Sequence, residues 1–204
     1  SYLLLQYLDF DGDRDAAAAE LGRRLAEQHG RPMTEFGWPR DNFIGSTPQP
    51  NGTTGDWIGF LRDKRLGFQF ELAACNGFAG ELQRLGRKLL ARLPEFFDEI
   101  PRASLLHGDL WGGNWGALAG GRPVIFDPAV YIGDREADLA MTRLFGGFPD
   151  SFYTAYSQVS PPAPGFEARI DLYNLYHLLN HLNLFGQGYL GQVEQTLRRL
   201  LADQ

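Results

Sequence analysis

Apolar and polar residues alternate along most of this chain with the period of an α-helix. The clearest case is residues 80–97, GELQRLGRKLLARLPEFF, in which leucines recur every three to four positions between charged residues. This spacing places the apolar side chains on one face of a helix. The sequence predicts four long helical segments, with a shorter helix over about 134–145; the long segments are residues 13–30, 56–77, 80–97 and 167–204.

Signals for the starts and ends of helices support these segments. Acidic residues occupy the first turn of the first segment and Gly30 follows its last turn, a common pair of boundary signals. Asp56 is predicted as the N-cap of the second segment, because its carboxylate can accept hydrogen bonds from free N–H groups of the first turn. The third segment is predicted to end near Pro94, and the fourth to break near Gly186 and Gly188.

Short apolar runs between turn residues predict a few strands. Residues 1–10, SYLLLQYLDF, predict a short buried strand. Residues 103–109, 114–118 and 123–127 are three further runs, and AGGR between the last two predicts a hairpin bend. Residues 31–54 are rich in Pro, Gly, Asn and Thr and predict a long ordered loop. The predicted fold class is therefore α+β and mostly helical, with short β-hairpins.

Composition narrows the possible functions. A chain of 204 residues is long enough for one sizeable domain or two small ones, and 44% hydrophobic with 22% charged residues is typical of a globular protein. The net charge of −6 disfavours a nucleic-acid partner, and no apolar run is long enough to span a membrane. The single cysteine, Cys75, excludes an intrachain disulfide, which fits a reducing cytoplasm, and its apolar surroundings predict a buried, inert thiol.

The segment LLHGDLWGGN, at residues 105–114, carries the strongest functional signal. Phosphoryl transfer needs a positioned acceptor hydroxyl and cations that hold the spreading negative charge. A protein-kinase catalytic loop supplies an Asp base and, five residues later, an Asn for Mg²⁺, and a later Asp also holds metal. Asp109 and Asn114 have this spacing, and Asp127 follows in VIFDPA after the predicted hairpin. The ordered set of three is more specific than any one member.

These motifs resemble the fructosamine-3-kinase (ketosamine kinase) family, which belongs to the aminoglycoside phosphotransferase and choline kinase group of protein-kinase-like folds. The resemblance covers nearly the whole chain. It rests on HGDLWGGN together with VIFDPAVYIGDREADLAM, and further on DNFIGSTPQPN, DW at 56–57 and LYHLLNHLNLFGQGY. The bare Asp and Asn spacing would fit the entire kinase-like group, so the longer strings carry the family assignment.

The resemblance implies chemical roles for five residues. Asp109 would orient and deprotonate the acceptor hydroxyl, while Asn114 and Asp127 would hold Mg²⁺. Asp138, in EADLA, would brace the catalytic loop from the following helix. His107 is interpreted as a structural donor within the loop rather than a proton shuttle.

Further residues are candidates for binding. The resemblance places the adenine of ATP against backbone groups of a hinge near three residues: Gln6, Tyr7 and Leu8. Trp111, beside the predicted base, is a candidate platform for the sugar or its cationic amine. The polar segment 31–54 adds three residues that would either contact the substrate or cap turns: Asp41, Asn42 and Gln49.

The resemblance also implies a division of the chain. Residues 1–8 would be the hinge strand from an N-terminal lobe, and residues 9–204 the kinase-like C-terminal lobe as a single domain. The phosphate-covering loop and the Lys–Glu pair of such kinases are not found here; Lys64 and Lys88 lie in helical segments. We therefore expect a longer protein whose N-terminal lobe is the partner of this chain, and little turnover by the chain alone.

The implied reaction is transfer of phosphate from MgATP to the 3-hydroxyl of a fructosamine or ribulosamine, either a small molecule or a glycated protein lysine. Such a reaction would serve deglycation. Three alternatives remain: a related kinase acting on an aminoglycoside, choline or another amino alcohol; a non-catalytic module that binds a partner or a glycated protein; and metal-dependent phosphate hydrolysis by the same carboxylates.

Two patterns imitate other metal sites. An EF-hand-like spacing joins Asp9, Asp11, Asp13, Asp15 and Glu20, but Arg14 stands where that loop needs Gly. Acidic residues at a helix N-terminus are the preferred interpretation.

His177 and His181 have zinc-like spacing, but Leu178 stands where the metalloprotease pattern has Glu, so packing and hydrogen bonding are preferred. Three polar residues of this helix could border the substrate cleft: Asn180, His181 and Asn183.

Overall fold

Eight α-helices and eight short strands make up the part of the chain that the computed structural model describes, residues 4–202. A π-helical stretch, Leu61–Gly67, joins α2 to α3, and 3₁₀ turns follow α4 and α7 at Leu93–Phe96 and Gln187–Tyr189. The α+β, mostly helical prediction is confirmed. The helices are α1 Arg14–His29, α2 Trp57–Phe60, α3 Phe68–Cys75, α4 Glu81–Arg92, α5 Glu136–Leu144, α6 Asp150–Val159, α7 Phe166–Phe185 and α8 Leu190–Ala202.

The strands form one small sheet and two hairpins, all antiparallel. The sheet has the order β4-β1-β8-β5, and the hairpins are β2-β3 and β6-β7. The predicted hairpin over 114–127 is confirmed, with Gly120 at positive φ in its bend. The strands are β1 Phe36–Trp38, β2 Asn42–Ile44, β3 Thr47–Gln49, β4 Gly52–Thr54, β5 Ala103–Leu106, β6 Trp115–Leu118, β7 Arg122–Ile125 and β8 Tyr131–Asp134.

Side-chain caps fix the beginnings of two helices. Oδ1 of Asp13 accepts hydrogen bonds from the N–H groups of Asp15 and Ala16, so α1 starts at Arg14. Asp56 accepts from the Gly59 N–H, which confirms its predicted role as the N-cap of α2. The acidic run before α1 thus supplies a helix cap, in agreement with its interpretation as acidic residues at a helix N-terminus rather than a calcium loop.

Three local predictions were wrong. Residues 4–10 form neither strand nor helix, and Leu4, Leu5 and Tyr7 are exposed; residues 1–3 lie outside the described part of the chain. Residues 31–54 contain four strands rather than a loop. The sequence did not reveal these strands, because three residues are too few to show an alternating pattern. Cys75 is exposed at the end of α3 rather than buried.

Two hydrophobic cores flank the predicted catalytic loop. The larger one packs α7 against α3, α4, α8 and the small sheet, with Trp57 and Leu179 fully buried. The smaller one packs α1 against α6 and the hairpin β6-β7, and includes Leu110 and Leu139. Leu110 belongs to the loop itself, so the smaller core anchors the loop from within.

A buried arginine fastens the strands of residues 36–54 to the rest of the fold. The guanidinium of Arg65 donates to the carbonyl oxygen of Pro50 and to Oδ1 of Asn51, both at 2.8 Å. It also lies over the rings of Tyr131 and Phe60, at 4.0 and 4.5 Å. This strand segment also pairs with β8, which begins four residues after Asp127.

No helix within residues 4–202 combines the length and the apolar character that a bilayer crossing requires.

Candidate active site

The loop of residues 107–114 begins where β5 ends and turns sharply at Gly108. Gly108 has φ +82°, and a Cβ there would lie 2.0 Å from the carbonyl oxygen of Ala129. Only glycine fits this position, because both the backbone conformation and the contact exclude a side chain. The turn brings Asp109 toward the surface while Leu110 is buried.

Asp138 holds the start of this loop through two backbone hydrogen bonds. Its Oδ2 accepts from the His107 N–H at 2.7 Å and its Oδ1 from the Gly108 N–H at 2.9 Å. His29 also contacts Oδ2 through Nε2 at 3.2 Å. Burial opposes ionisation of Asp138, but the bond and charge of His29, with those backbone groups, keep its pKa below the ordinary value. This is the geometry expected of a brace.

Asp109 and Asn114 are joined across the loop. Nδ2 of Asn114 donates to the carbonyl oxygen of Asp109 at 2.8 Å and to its Oδ2 at 3.2 Å. Burial raises the pKa of Asp109 from 3.8 to about 6; the Asn114 bond opposes this shift, and the charges of Asp138 and Asp127 add to it. A carboxyl with such a pKa is suited to exchanging a proton near neutral pH.

Asp127 reaches the same place from the hairpin. The Phe126 N–H donates to the backbone oxygen of Asn114 at 3.1 Å, and Nε2 of His107 lies 2.9 Å from the Phe126 oxygen. Asp127 follows with φ +53°, a left-handed conformation that is uncommon for Asp. Asp127 is exposed and its charge acts on Asp109, while Phe126 is bonded to Asn114, so the three predicted polar residues are brought together.

His107 makes contacts within the loop and the hairpin. Besides its contact with Phe126, its Nδ1 accepts from the Asp109 N–H at 3.3 Å. Burial lowers the pKa of His107, although Asp138, the Phe126 carbonyl and Asp127 oppose the shift. His107 therefore links α5, the loop and the hairpin end through three backbone or ring contacts.

A chain of aromatic rings borders the loop on its exposed side. Trp111 is 39% exposed, and its indole lies against Gly113, where a Cβ would come within 2.3 Å of the ring. Ring centroids are 6.2 Å apart for Trp111 and Phe145, and 4.9 Å for Phe145 and His181. We call this group the aromatic rim; it consists of Trp111, Phe145, His181, Phe185 and Tyr189.

The polar candidates of residues 31–54 are committed to contacts within the protein. Nδ2 of Asn42 donates to the Val130 oxygen at 2.8 Å, and its Oδ1 accepts from Gln49 and Asn51. Oδ1 of Asp41 accepts from the Asn51 N–H at 2.7 Å. These bonds support the turn-capping alternative for Asn42 and Gln49, while substrate contact by Asp41 or Asn42 stays a prediction.

Gln6, Tyr7 and Leu8 lie in the extended segment before α1, with Gln6 and Tyr7 exposed and Leu8 half-buried. Phe10, just after them, stacks on Phe126 with ring centroids 5.3 Å apart. The chain spans at most roughly 11 Å in three residues, so Tyr7 lies within that distance of Phe10. Adenine binding by these residues stays a prediction.

His177 is the residue that sequence reasoning missed. It lies on α7, and its Nδ1 is 3.8 Å from Oδ1 of Asp109. The four-residue spacing of His177 and His181 serves a contact within the helix, since Nδ1 of His181 lies 2.8 Å from the His177 carbonyl oxygen. Nothing in the local sequence marks His177, because the contact joins residues far apart along the chain.

The described residues contain no group of three or more His, Cys, Asp or Glu side chains that could hold a metal ion. A divalent cation at this site would therefore depend on mixed ligands, an Asn amide oxygen with a carboxylate. Because Nδ2 of Asn114 faces Asp109, its Oδ1 points away and is free to act as a hard oxygen ligand. Asn114 and Asp127 thus fit Mg²⁺ by donor type.

Known proteins resemble this chain in family, in sequence and in structure. Residues 1–203 match the fructosamine kinase family. A Synechocystis protein with the provisional name ketoamine kinase is 46% identical over 202 residues, covering 98% of this chain and 68% of that protein. A protein-ribulosamine 3-kinase of Arabidopsis thaliana, named as chloroplastic, is 44% identical, covering 99% of this chain and 64% of the relative. This chain therefore spans about two thirds of the length of these relatives.

Solved structures give the same picture. A chain from Thermobifida fusca, provisionally named fructosamine-3-kinase, superposes with a TM-score of 0.89 at 35% identity, covering 96% of this chain and 68% of that one. A complex of gentamicin with APH(2″)-IIa, an aminoglycoside kinase, superposes with a TM-score of 0.54 at 14% identity, covering 94% and 63%. This more distant likeness concerns the fold alone, and it confirms the predicted kinase-like fold.

Proposed function

The chain belongs to the fructosamine kinase family, and from that membership and the site's geometry we propose that it transfers the γ-phosphoryl group of ATP to a ketosamine. The acceptor would be the 3-hydroxyl of a fructosamine or ribulosamine, and the reaction would serve deglycation. The observation that carries this proposal is the meeting of Asp109, Asn114 and Asp127 beside an exposed aromatic rim.

Asp109 acts as the base in this proposal. Its side chain is 22% exposed, so a hydroxyl can reach it from solvent while its backbone stays fixed by the loop. With a pKa of about 6, its carboxylate is ionised at neutral pH and can accept the proton of the acceptor hydroxyl. Most of the catalytic effect would come from alignment of that hydroxyl, as in other phosphoryl transfers.

Asn114 and Asp127 would hold Mg²⁺ through Oδ1 and the carboxylate. When bound, the cation supplies charge neutralisation for the phosphate groups. The contribution of the protein is to keep the two ligands in register. The bond from the Phe126 N–H to Asn114 does this, since it ties the residue before Asp127 to the loop.

The aromatic rim supports an acceptor that combines a sugar ring with an amine. The exposed face of Trp111 can cover the apolar side of a sugar, and an ammonium group is attracted to the negative face of an indole. His181 and Phe185 extend the surface away from the loop. This extension offers room for the amine-bearing part, from a small adduct to a glycated lysine side chain.

The test uses protein expressed from the complete reading frame, with an Asp109→Asn variant beside it. Phosphate transfer from MgATP is followed with fructosyl-lysine, a ribulosamine, kanamycin and choline. We expect transfer to the two ketosamines, and a loss of kcat of about 10²–10⁴-fold in the variant. Transfer confined to kanamycin or choline would overturn the ketosamine proposal and keep the kinase. Absence of transfer to all four, with ATP bound, would favour a binding module.

Three predictions stay open beside this one. Little turnover by residues 1–204 alone is tested by running the same assay on that fragment. The division at residue 8 requires a structure of the complete reading frame. Cytoplasmic localisation also stays a prediction, since one relative is named as chloroplastic.

A further inference from the structure

His177 is a buried histidine whose Nδ1 has no hydrogen-bond partner among residues 4–202. Its side chain is 6% exposed, and Nδ1 is inaccessible to solvent within the described part of the chain. A buried polar atom without a partner is unfavourable and rare in native proteins, and a catalytic role is one of the reasons for which such an atom is retained. The polar atom that this nitrogen faces is Oδ1 of Asp109, at 3.8 Å.

The surroundings of His177 keep its ring uncharged. Its pKa is lowered to about 3, chiefly by burial and also by the charges of His181 and Arg65, while Asp138 opposes the shift. These groups, Asp109 and Tyr176, whose ring contacts that of His177, are the charged or titratable neighbours. A neutral imidazole carries one proton, and a proton on Nδ1 would make this nitrogen a donor toward the carboxylate.

The two oxygens of Asp109 are held unequally. Oδ2 receives a bond of 3.2 Å from Asn114, whereas Oδ1 faces His177 across a gap about 0.9 Å longer than a typical N–H···O bond of ~2.9 Å. Hydrogen bonds at catalytic sites are often long before the substrate binds, and shorten in the reactive complex. Closing this gap requires Nδ1 of His177 and Oδ1 of Asp109 to approach each other by about 0.9 Å.

We propose that His177 is a positioning residue, whose Nδ1–H donates a hydrogen bond to Oδ1 of Asp109 when the acceptor binds. This bond and the Asn114 bond then fix both oxygens of the carboxylate, so that its free lone pairs point at the acceptor hydroxyl. His177 does not touch the substrate and acts only through Asp109. This inference rests on the proposed role of Asp109 as the base.

The test compares two substitutions in protein from the complete reading frame. His177→Leu removes the donor at similar volume, and His177→Gln keeps an N–H donor. With fructosyl-lysine and MgATP, we expect His177→Leu to lower kcat by about 10–100-fold, the usual effect of losing a residue that orients a catalytic group. KM should stay near the wild-type value, and His177→Gln should recover most of the lost kcat.

Leu175→Met, a volume-conserving change in the buried core of α7, is the matched control. It should leave kcat unchanged, and thermal melting should show that all three variants fold. A purely structural role for His177 would make both of its substitutions equally harmful, or would lower stability and activity together. Either result would overturn the proposal, as would a wild-type kcat in His177→Leu.

A second measurement does not depend on turnover. ¹⁵N NMR of the imidazoles at pH 8 assigns the His177 signals as those missing from His177→Gln. We expect a proton on Nδ1, and a change in the Nδ1 shift in Asp109→Asn. A bare Nδ1 would overturn the proposal even if the enzyme is active. If no acceptor is phosphorylated but the proton is on Nδ1 and responds to Asp109→Asn, the pairing stands and the kinase assignment fails.

Discussion

Two groups of side chains meet residues 107–114 from opposite sides, and they differ in almost every physical respect. Below the loop lie His29, Asp138 and Tyr156, which are buried and hydrogen-bonded to one another or to the loop. We call these three residues the buried support. Above it lies the aromatic rim, where Trp111 is 39% and Phe185 66% exposed and the side chains contact one another through their rings.

The difference indicates a division of tasks. Buried hydrogen bonds are directional, and breaking them is costly, so the support fixes where Asp109 lies. Aromatic contacts at the surface are broad and tolerant, so the rim can accept acceptors of varied shape. Asp109 lies between the two regions. Substitutions in the support should therefore change folding and catalysis together, and substitutions in the rim should change substrate binding alone.

The largest expected effect tests the support. Asp138→Asn puts an amide N–H₂ group against one N–H donor of the loop, so the loop loses one of its two acceptors inside a buried site. We expect the free energy of unfolding to fall by about 3–5 kcal/mol, with loss of phosphate transfer. Urea denaturation measures the first and the kinase assay the second.

Asp98→Asn is the matched control, because Asp98 is exposed, and a surface change of this kind stays within about 0.5 kcal/mol. If Asp138→Asn were as mild as this control, the buried support would not hold the loop, and the contrast between the two regions would be lost.

The second effect tests the rim. Trp111→Ala should raise KM for fructosyl-lysine by about 10–100-fold, corresponding to roughly 1–3 kcal/mol of lost binding, with a far smaller change in kcat. Thermal stability should hardly change, because the indole is partly exposed. Steady-state kinetics and thermal melting provide the two readouts, and Ile100→Ala, at another exposed apolar residue, is the control. A fall in kcat without a change in KM would contradict this, because it would mean that Trp111 helps to fix the position of Asp109, as the buried support does.

The smallest effect concerns Asp109, between the two regions. Its pKa is raised in the folded protein to about 6, so its ionised form destabilises the fold above that pH, and the penalty is absent below the unfolded value of 3.8. Asp109→Asn should therefore raise the free energy of unfolding at pH 8 by about 1–2 kcal/mol, after allowance for partial exposure.

This gain should shrink as the pH falls from 6 to 4. Urea denaturation of both proteins at pH 8, 6 and 4.5 tests it. An equal difference at every pH would mean that the charge of Asp109 is not the cause.

The sequence predicts those parts of the site that are close along the chain. Asp109 and Asn114 are five residues apart in one loop, and a hairpin of ordinary turn chemistry brings Asp127 to them. Asp138 was predicted through the resemblance, and its two backbone bonds supply the physical reason for a brace. Helices were predicted for the same reason, since their pattern is local.

Features set by distant contacts were not predictable in this way. His177 meets Asp109 only because α7 packs against the loop, and no spacing encodes that. The strands of residues 36–54 are fastened by buried Arg65, and a charged residue in a sequence normally indicates exposure. Residues 4–10 are apolar yet largely exposed, so composition alone gave the wrong burial.

The bonds from His107 and Gly108 to Asp138 also bear on how the protein folds. They join residues 31 and 30 positions apart, so the loop must wait for α5 to dock before it takes its shape. Helices form early because their contacts are local, whereas long-range closures carry an entropic cost that later packing must repay. During refolding, recovery of the base should therefore lag behind recovery of helical content. A half-folded chain, however rich in helix, would hold no working site.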